Sequence, residues 1–443
     1  MAVLQLERPV TNRARTWMTQ WGPMLPLLIA EATIWAGFGA LLPILPIYFT
    51  QHGVSLPMLG VVVAAWPAAR LIGEPLFGRI ADSAPRRTMM VIGLFAAAFF
   101  AVAPLFVVDL GVVALILTRI GAGLSASAYD PAARGYLVDA NPPERQGETF
   151  GLYGAAQMGG LMLGPAIGGI AAGLTGNPTT PFWLASIFVF AAGVLVWARV
   201  KDVPHPAKAT TAEDAGGALA AVEDAGRPTR LRNRLLVAAL VLGVGSYFAG
   251  GAYEVVWSLY LTSLGASLGM IGLTFFTFAL PILVLSPVMG RFIDHEGGFL
   301  ALVIGTLGIG VCGLLYALVP SVWFVVLLGL VEGTAFAVAQ PAQFLLVARS
   351  SPASRSSTAQ GLFGAAGTVG TIIASLSAGF LAAIDLRLPF VVTGVASLLT
   401  LAVGLAIGRR RLYDALQPDH AALAAASASA RAARDGVPDQ ATG

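Results

Sequence analysis

The feature that most constrains this chain is a series of apolar segments, each long enough to cross a lipid bilayer as a helix. A spanning helix needs about 20 mostly apolar residues, because the hydrocarbon core is roughly 30 Å thick. Twelve such segments lie between polar or Gly/Pro breaks. Only 11% of the 443 residues are charged, against roughly a quarter in an ordinary soluble domain. The sequence therefore predicts an all-α polytopic membrane protein and excludes a soluble globular one.

The predicted spans fall into two sets of six, separated by a polar segment. The first set covers 23–49, 58–80, 88–108, 112–137, 149–174 and 182–199. The second set covers 235–261, 270–293, 299–318, 322–347, 359–383 and 388–407. We predict an N-terminal six-helix bundle (1–200), a cytoplasmic linker rich in Ala, Asp, Glu and Pro (201–233) and a C-terminal six-helix bundle (234–411). A cytoplasmic tail (412–443) follows, which we expect to be mobile, with a short helix as the alternative.

The positions of the basic residues predict the orientation of the chain. With the amino terminus in the cytoplasm and twelve alternating spans, nearly all of the 26 Lys and Arg residues fall on the cytoplasmic side. The exceptions are Arg70 and Arg119 inside spans and Arg387 in an external connection. Because cytoplasmic loops carry an excess of Lys and Arg, we expect a multi-pass protein of the inner (plasma) membrane with both termini in the cytoplasm.

The two sets of spans are related by an internal repeat with a shift of about 210 residues. Three collinear pairs of segments carry it: PLFGRIAD (75–82) with PVMGRFID (287–294), GLSASAYDPA (123–132) with GTAFAVAQPA (333–342), and ERQGETFGLYGAA (144–156) with SRSSTAQGLFGAA (354–366). Two six-span repeats form two bundles with a cleft between them, in which a solute site is exposed alternately to either side of the membrane. The repeat therefore predicts solute transport.

Three motifs resemble signatures of the major facilitator superfamily, and the resemblance covers residues 23–411. They are GRIADSAPRR after the second span (78–87), Arg119 with Gly123 in the fourth span, and GLMLGPAIGG in the fifth (160–169). The resemblance implies the major facilitator fold, and the third motif is similar to one common among drug:proton antiporters. It therefore implies secondary active transport by alternating access, with proton-coupled efflux of a small hydrophobic or cationic compound.

The first motif predicts a cytoplasmic gate. Asp82 ends the second span, and Arg86 is predicted to link it to Asp130 near the inner end of the fourth span. Gly78 opens the motif, and Asp294 occupies the equivalent place in the second half. Alternatively, the basic residues only orient the chain in the membrane.

Small residues at four-residue intervals in the fifth span predict close contact with a neighbouring helix. They are Gly160, Gly164 and Gly168, and Pro165 permits a bend among them. Close packing alone explains this stripe, and the direction of transport is inferred from the resemblance only.

Glu31 is the leading candidate for proton coupling. It lies in the first span without a cation within one turn, and Trp35 and Phe38 continue its helix face toward a predicted substrate cavity. Because burial disfavours the charged form of a carboxyl group, this position suits reversible proton binding. In exporters that the sequence resembles, an acidic residue of the first span commonly carries the proton.

Three further charges inside spans are candidates with open roles. Glu254 lies one turn before Trp257, and this pair suits a cationic or amphipathic solute. Glu332 either takes part in proton coupling or pairs with Arg119 across the interface between the halves. Arg119 is then a counter-ion to a carboxylate or a ligand for an anion, and the sequence leaves both open.

The remaining expectations concern partners and competing functions. Neither a Walker A loop nor an HExxH motif occurs, which favours secondary transport and argues against an enzyme. We expect no cofactor, no metal and no nucleic acid, and expect a monomer that binds a small-molecule substrate, protons and the lipid bilayer. Alternatives are a proton symporter or uniporter that imports a metabolite, and a non-transporting sensor or receptor.

Overall fold

The computed structural model describes residues 24–81, 84–141, 146–201, 233–351 and 356–417. Within these ranges the chain is helical apart from short connections. The first half contains α1 (Leu25–Gln51), α2 (Leu56–Ala81), α3 (Arg86–Val102 with Pro104–Leu110), α4 (Val112–Ala140), α5 (Gln146–Thr175) and α6 (Thr180–Arg199). The second half contains α7 (Arg234–Ser263), α8 (Leu268–Glu296), α9 (Phe299–Tyr316), α10 (Val322–Arg349), α11 (Ser356–Ile384) and α12 (Leu388–Gly408), followed by the short α13 (Arg410–Ala415).

The described helices confirm the predicted all-α polytopic architecture. Eleven of them are long and apolar enough to cross a membrane, and α3 is the twelfth if its two bent segments count as one span. Helices suit this environment because each backbone N–H and C=O finds a partner within its own segment. The predicted linker lies outside the described residues, since 202–232 are not among them.

Two spans of the first half are interrupted next to proline. Helix α1 consists of Leu25–Leu41 and Leu45–Gln51, and Pro43 and Pro46 lie at the break. Helix α3 bends by 44° where Pro104 begins its second segment. Proline lacks a backbone N–H and clashes with the preceding turn, so a change of helix direction at these points is expected.

The distribution of buried apolar side chains shows how the halves meet. At the end of the molecule away from Met24 and Leu416 (the distal end), one hydrophobic cluster joins both halves, with Phe49 and Phe182 from the first and Tyr260 and Phe390 from the second. At the end that carries Met24 and Leu416 (the terminal end), each half has a cluster of its own. The halves therefore form one core at the distal end and separate cores at the terminal end.

Two seams of glycine contacts hold the halves together near the distal end. Between α2 and α11, a Cβ on Gly60 would lie 2.5 Å from the carbonyl oxygen of Ser375. Between α5 and α8, a Cβ on Gly272 would lie 2.8 Å from the carbonyl oxygen of Pro165. Real Cβ atoms do not approach backbone this closely, so glycine lets the paired backbones meet.

The predicted glycine stripe of α5 lies directly against α1. A Cβ on Gly160, Gly164 or Gly168 would lie 2.1, 2.5 or 2.2 Å from a carbonyl oxygen of α1. Those oxygens belong to Ala32, Ala36 and Ala40, which have the same four-residue spacing. Pro165 also contacts α1, 2.9 Å from where a Cβ on Gly39 would lie. The stripe thus sets the distance between the helix that carries Glu31 and its neighbour.

The start of the predicted mobile tail is packed, which corrects the sequence expectation for residues 412–417. Leu412 and Leu416 of this segment are fully buried, and the Gly298 N–H donates to the Leu416 carbonyl at 2.7 Å. Arg349 caps the end of α13 by donating to the Ala415 carbonyl at 2.9 Å. Two leucines four residues apart share one helix face, and this face supplies the anchor. Residues 418–443 lie outside the described residues.

Arg409, between α12 and α13, has a backbone conformation that favours glycine. Its φ of 47° is positive, the only such value among the described non-glycine residues. We expect Arg409→Gly to raise stability by about 1 kcal/mol, because relief of this strain outweighs the greater freedom of glycine in the unfolded chain. A thermal unfolding curve in detergent checks this. Arg410→Gly, in the first turn of α13, is the matched control and should destabilise; equal effects of both changes would contradict the prediction.

Candidate transport site

Glu31 of α1 is fully buried and is held by neutral hydrogen-bond donors. Trp35 donates from Nε1 to Oε1 at 2.9 Å, and Tyr129 of α4 donates to Oε2 at 2.7 Å. Gln157 of α5 donates to Oε1 at 3.2 Å. Among the described residues no Lys or Arg forms a salt bridge with it. The site therefore stabilises a carboxyl group without neutralising its charge by a cation.

The three donors Trp35, Tyr129 and Gln157 form a cage around the carboxyl group of Glu31. A cavity of about 100 Å³ lies beside this cage in the first half of the molecule. Its polar and aromatic wall contains both predicted cavity residues of α1, Trp35 and Phe38, together with residues from α2, α3, α4 and α6. These additional residues include Trp66, Arg70, Phe100, Arg119, Tyr129, Asp130 and Phe182. Glu31 is not on the wall, but its partners Trp35 and Tyr129 are. The carboxyl group thus lies one side chain behind the cavity surface.

Arg119 forms an ion pair between the two halves. Its Nη2 lies 2.9 Å from Oε1 of Glu254 on α7, and both side chains are largely buried. Arg119 also lines the cavity. In this structure the ion-pair partner of Arg119 is thus Glu254, whereas the two described donors to Glu332 are tyrosines. The roles of Arg119 as a counter-ion or as a ligand stay predictions.

Glu332 of α10 has a neutral cage of its own. Tyr253 donates to Oε1 at 3.1 Å and Tyr316 donates to Oε2 at 2.9 Å. The side chain is only 2% exposed. Each half thus buries one carboxyl group among neutral donors, Glu31 in the first and Glu332 in the second.

Trp257, which the sequence predicts in a substrate cavity, does not line the cavity described above, and its predicted role stays a prediction. Trp257 is 5% exposed, is absent from the cavity wall, and donates to Thr274 Oγ1 at 2.9 Å. Its ring packs against Tyr316 and Phe390 with centroid distances of 4.9 and 6.0 Å. It belongs to the distal core because an aromatic cluster from α7, α9 and α12 surrounds it.

Asp130 pairs with Arg70, and not with Arg86 as predicted. Arg70 of α2 contacts both Asp130 and Glu74, and its Nε lies 2.9 Å from Glu74 Oε1. Arg134 extends the network, with Nη2 3.7 Å from Glu74. Arg70 and Glu74 lie four residues apart on one helix face, and α4 contributes a second carboxylate because α2 and α4 pack together.

Arg86 lies at the start of α3 and packs against α4. Its Nε donates to Asp139 at 2.7 Å, and a Cβ on Gly135 would lie 2.2 Å from its Nη1, so glycine makes room for the guanidinium. Gly78 faces Pro131 of α4 with ordinary van der Waals spacing. Asp82 lies outside the described residues, as does the side chain of Asp294, although its backbone is part of α8. The predicted link between Arg86 and Asp82 therefore stays a prediction.

Sequence reasoning missed the neutral partners of the buried acids. Tyr129 and Gln157 for Glu31, and Tyr253 and Tyr316 for Glu332, had not been singled out. The available signal was a hydroxyl or amide side chain within an otherwise apolar span, where a polar group needs a partner. Helix spacing did not identify these contacts because most of the partners lie on other helices.

Two matching sets of membrane-spanning helices, with a largely apolar cavity inside the first set, are typical of a membrane transporter. Comparison with known families agrees with this class. The Major Facilitator Superfamily model matches residues 27–253 and 239–434. The chain therefore belongs to the major facilitator superfamily, and it is a transporter and not an enzyme.

Relatives of this chain include a drug-resistance protein and a transporter without assigned function. Quinolone resistance protein NorA of Staphylococcus aureus (strain N315) is 28% identical over 228 residues, which cover 51% of this chain and 55% of that protein. The matched region thus spans about half the length of these curated relatives. An uncharacterized MFS-type transporter of Methanocaldococcus jannaschii is 22% identical over 358 residues, covering 80% of this chain and 89% of that one.

Solved structures of transporters share the fold. A bacterial homolog of the human lysosomal transporter Spinster, in an inward-facing and occupied conformation, superposes with a TM-score of 0.70 at 15% identity, covering 87% of this chain and 96% of that one. A D-xylose–proton symporter superposes with a TM-score of 0.68 at 17% identity, covering 86% and 96%. At these identities the likeness concerns architecture alone.

Proposed function

We propose that this protein is a proton-coupled exporter of small hydrophobic compounds, working by alternating access. The observation that carries the proposal is the buried carboxyl group of Glu31, which only neutral donors hold, immediately behind the wall of an aromatic cavity. An uncompensated carboxylate in a membrane interior costs at least a few kcal/mol. Proton binding removes that cost, so the burial of Glu31 and its protonation are linked.

Glu31 would bind its proton behind the cavity wall, outside the space that a substrate occupies. Trp35 and Tyr129 each contact Glu31 and also line the cavity. A substrate that moves either side chain removes a donor from the ionised carboxylate or opens it to water. Substrate and proton then influence each other through these two side chains without occupying the same place.

The direction of transport is part of the proposal and is argued from a motif, a relative and the arrangement of the two cores. The glycine stripe of α5 resembles a motif of drug:proton antiporters, and NorA is described as a quinolone resistance protein. With the predicted cytoplasmic termini, the separate cores at the terminal end favour halves that part on the cytoplasmic side. In this scheme the substrate enters from the cytoplasm while Glu31 releases its proton, and Glu31 takes up a new proton from outside after the halves have rocked.

The acids of the second half have distinct places in this proposal. Glu254 was expected to attract a cation, but Arg119 already compensates its charge. Glu332 is a candidate for a second proton, since its cage of two tyrosines also lacks a cation among the described residues. We therefore assign the first proton to Glu31 and make Glu332 the comparison.

We expect Glu31→Gln to abolish proton-driven transport while leaving downhill flux. Glutamine keeps the size and hydrogen-bonding capacity of the side chain but cannot exchange a proton at this position. The measurement is the uptake of a panel of fluorescent hydrophobic dyes into everted vesicles, with and without an imposed pH gradient. Gradient-driven accumulation should fall at least tenfold, and equilibration without a gradient should persist.

Glu332→Gln provides the matched comparison, because it alters the equivalent cage in the other half. If Glu332→Gln abolishes accumulation and Glu31→Gln does not, the assignment to Glu31 is wrong. If the native protein equilibrates a dye but never accumulates it against a gradient, proton coupling is wrong and a uniporter is favoured. Accumulation in the opposite direction would support the import alternative.

A further inference from the structure

One buried hydrogen-bond donor on the cavity wall has no partner. The Nε of Arg119 is buried and forms no hydrogen bond, although the Nη2 of the same guanidinium donates to Glu254. Several buried polar atoms lack partners in the described part of the chain, and among these only the Arg119 Nε belongs to a residue of the cavity wall. Leaving a buried donor unsatisfied costs roughly 1–3 kcal/mol, and more for a charged group. A ligand that supplies an acceptor would recover this energy.

The wall around this donor is suited to a flat ring system. Phe38 lies between Trp35 and Trp66, with ring centroid distances of 5.5 and 5.0 Å. The cavity volume is about 100 Å³, several times the roughly 10–15 Å³ that one water molecule needs. Aromatic walls and a few placed polar groups are the usual composition of small-molecule sites. The cavity is therefore larger than a site for a single water molecule, and the composition of its wall suits an aromatic ring with one polar substituent.

The charges near the donor favour a neutral substituent. Arg119 is compensated by Glu254, and Arg70 together with Arg134 is compensated by Asp130 and Glu74. A carboxylate bound at Arg119 would place a second anion beside Glu254, and an ammonium group would face a guanidinium. In a buried site of low dielectric constant, either excess charge is unfavourable.

We infer that the cavity selects neutral aromatic compounds carrying a carbonyl group, which accepts a hydrogen bond from the Arg119 Nε while the ring packs among Trp35, Phe38 and Trp66. This inference rests on the proposed transport function, because it names the class of substrate for the same cavity. It makes Arg119 the residue that determines specificity. It also narrows the sequence expectation of a hydrophobic or cationic substrate to the neutral hydrophobic class.

The test compares four naphthalene derivatives that differ in one substituent. The ligands are 2-acetylnaphthalene, 2-ethylnaphthalene, 2-naphthoate and 2-naphthylmethylammonium. Binding to the purified protein in detergent is followed by quenching of tryptophan fluorescence, since two tryptophans line the cavity. The native protein should bind the ketone about tenfold more tightly than the hydrocarbon, relative to their partition into empty micelles. Neither charged derivative should compete with the ketone.

Two variants assign the preference to Arg119. In Arg119→Met/Glu254→Gln the donor is lost without leaving a buried anion, and the ketone-to-hydrocarbon ratio should fall to that of the micelle. In Glu254→Gln the guanidinium keeps its Nε but loses its counter-ion, so the ketone preference should persist and 2-naphthoate should now bind. Partition into detergent cancels when these ratios are compared between variants.

The outcomes separate this inference from the proposed function. Absence of ketone binding to the native protein overturns the inference, as does an unchanged ketone-to-hydrocarbon ratio in a folded double variant. Preferential binding of the ammonium derivative overturns it in favour of a cation site. No proton gradient is used, so a failure of proton coupling does not affect the result. Accumulation of dyes in vesicles without ketone selectivity would retain the proposed function alone.

Discussion

Gly272→Ile is expected to drive the protein out of the conformation described above. Gly272 of α8 lies against α5 at the distal end, and even a Cβ there would be 2.8 Å from the Pro165 carbonyl oxygen. An isoleucine side chain cannot fit without separating the two helices, which belong to different halves. Overpacking of this kind costs about 1–3 kcal/mol. A cost of about 2 kcal/mol changes the ratio of two conformations roughly thirtyfold.

The expected shift can be measured as a distance at the opposite end of the molecule. Spin labels at Val138→Cys on α4 and Phe344→Cys on α10 occupy exposed positions near the terminal ends of the two halves. The only native cysteine, Cys312, is replaced by serine. If the halves rock, opening the distal seam closes the terminal end, and electron–electron resonance should show a shorter distance between the labels.

Gly269→Ile is the matched control on the same helix. A Cβ at Gly269 meets no atom within 4 Å, although the residue lies about one turn from Gly272. This change should leave the distance distribution unaltered. If both variants give the native distribution, the α5–α8 seam does not control which end of the molecule is open. The expected motion, in which the terminal end closes as the distal end opens, is then contradicted.

Gly160→Ala is expected to cost about 2–3 kcal/mol of stability, a large effect for one methyl group. The added Cβ would lie 2.1 Å from the Ala32 carbonyl oxygen, so α1 and α5 must move apart. The same movement draws Gln157 away from Glu31, since these residues lie close to the contact on the two helices. Proton-driven transport should therefore weaken together with stability.

Gly159→Ala is the control, because a Cβ on Gly159 meets no atom within 4 Å. It should be neutral or stabilise by up to about 1 kcal/mol, because alanine favours the helix. The buried thiol of Cys312 supplies the readout, since a maleimide dye reacts with it when the protein unfolds on heating. Equal unfolding temperatures for both alanine variants would show that the glycine stripe does not set the packing of α1 on α5.

The sequence was sufficient to predict most of the fold because its main determinants are local. An apolar run of about 20 residues identifies a span without reference to any other part of the chain. The repeat then relates the two sets of spans. In agreement, Gly53 after α1 and Gly265 after α7 lie at equivalent turns and have the same φ of 83°, a conformation that glycine adopts without strain.

The pairing of charges was harder to predict because it depends on how helices rotate against each other. Arg70 and Glu74 stand four residues apart, and this spacing alone favours their contact. Spacing does not show that Asp130 reaches the same arginine from α4, or that Arg119 meets Glu254 of the other half. Such contacts depend on how far along its helix each side chain lies and on which neighbouring helix it faces in the assembled bundle. A single sequence specifies these only indirectly, through small residues that permit close approach.

The two glycine seams also bear on how easily the molecule changes shape. Where Gly60 meets Gly379, and Gly169 meets Gly272, bare backbone lies against bare backbone. Separating the halves at these points withdraws no interdigitated side chains, whereas ridges packed into grooves resist separation. The seams can therefore part and close again without any side chain changing its rotamer. The energy needed to open the distal end then goes mainly into breaking the ion pair and rearranging the contacts of the cavity.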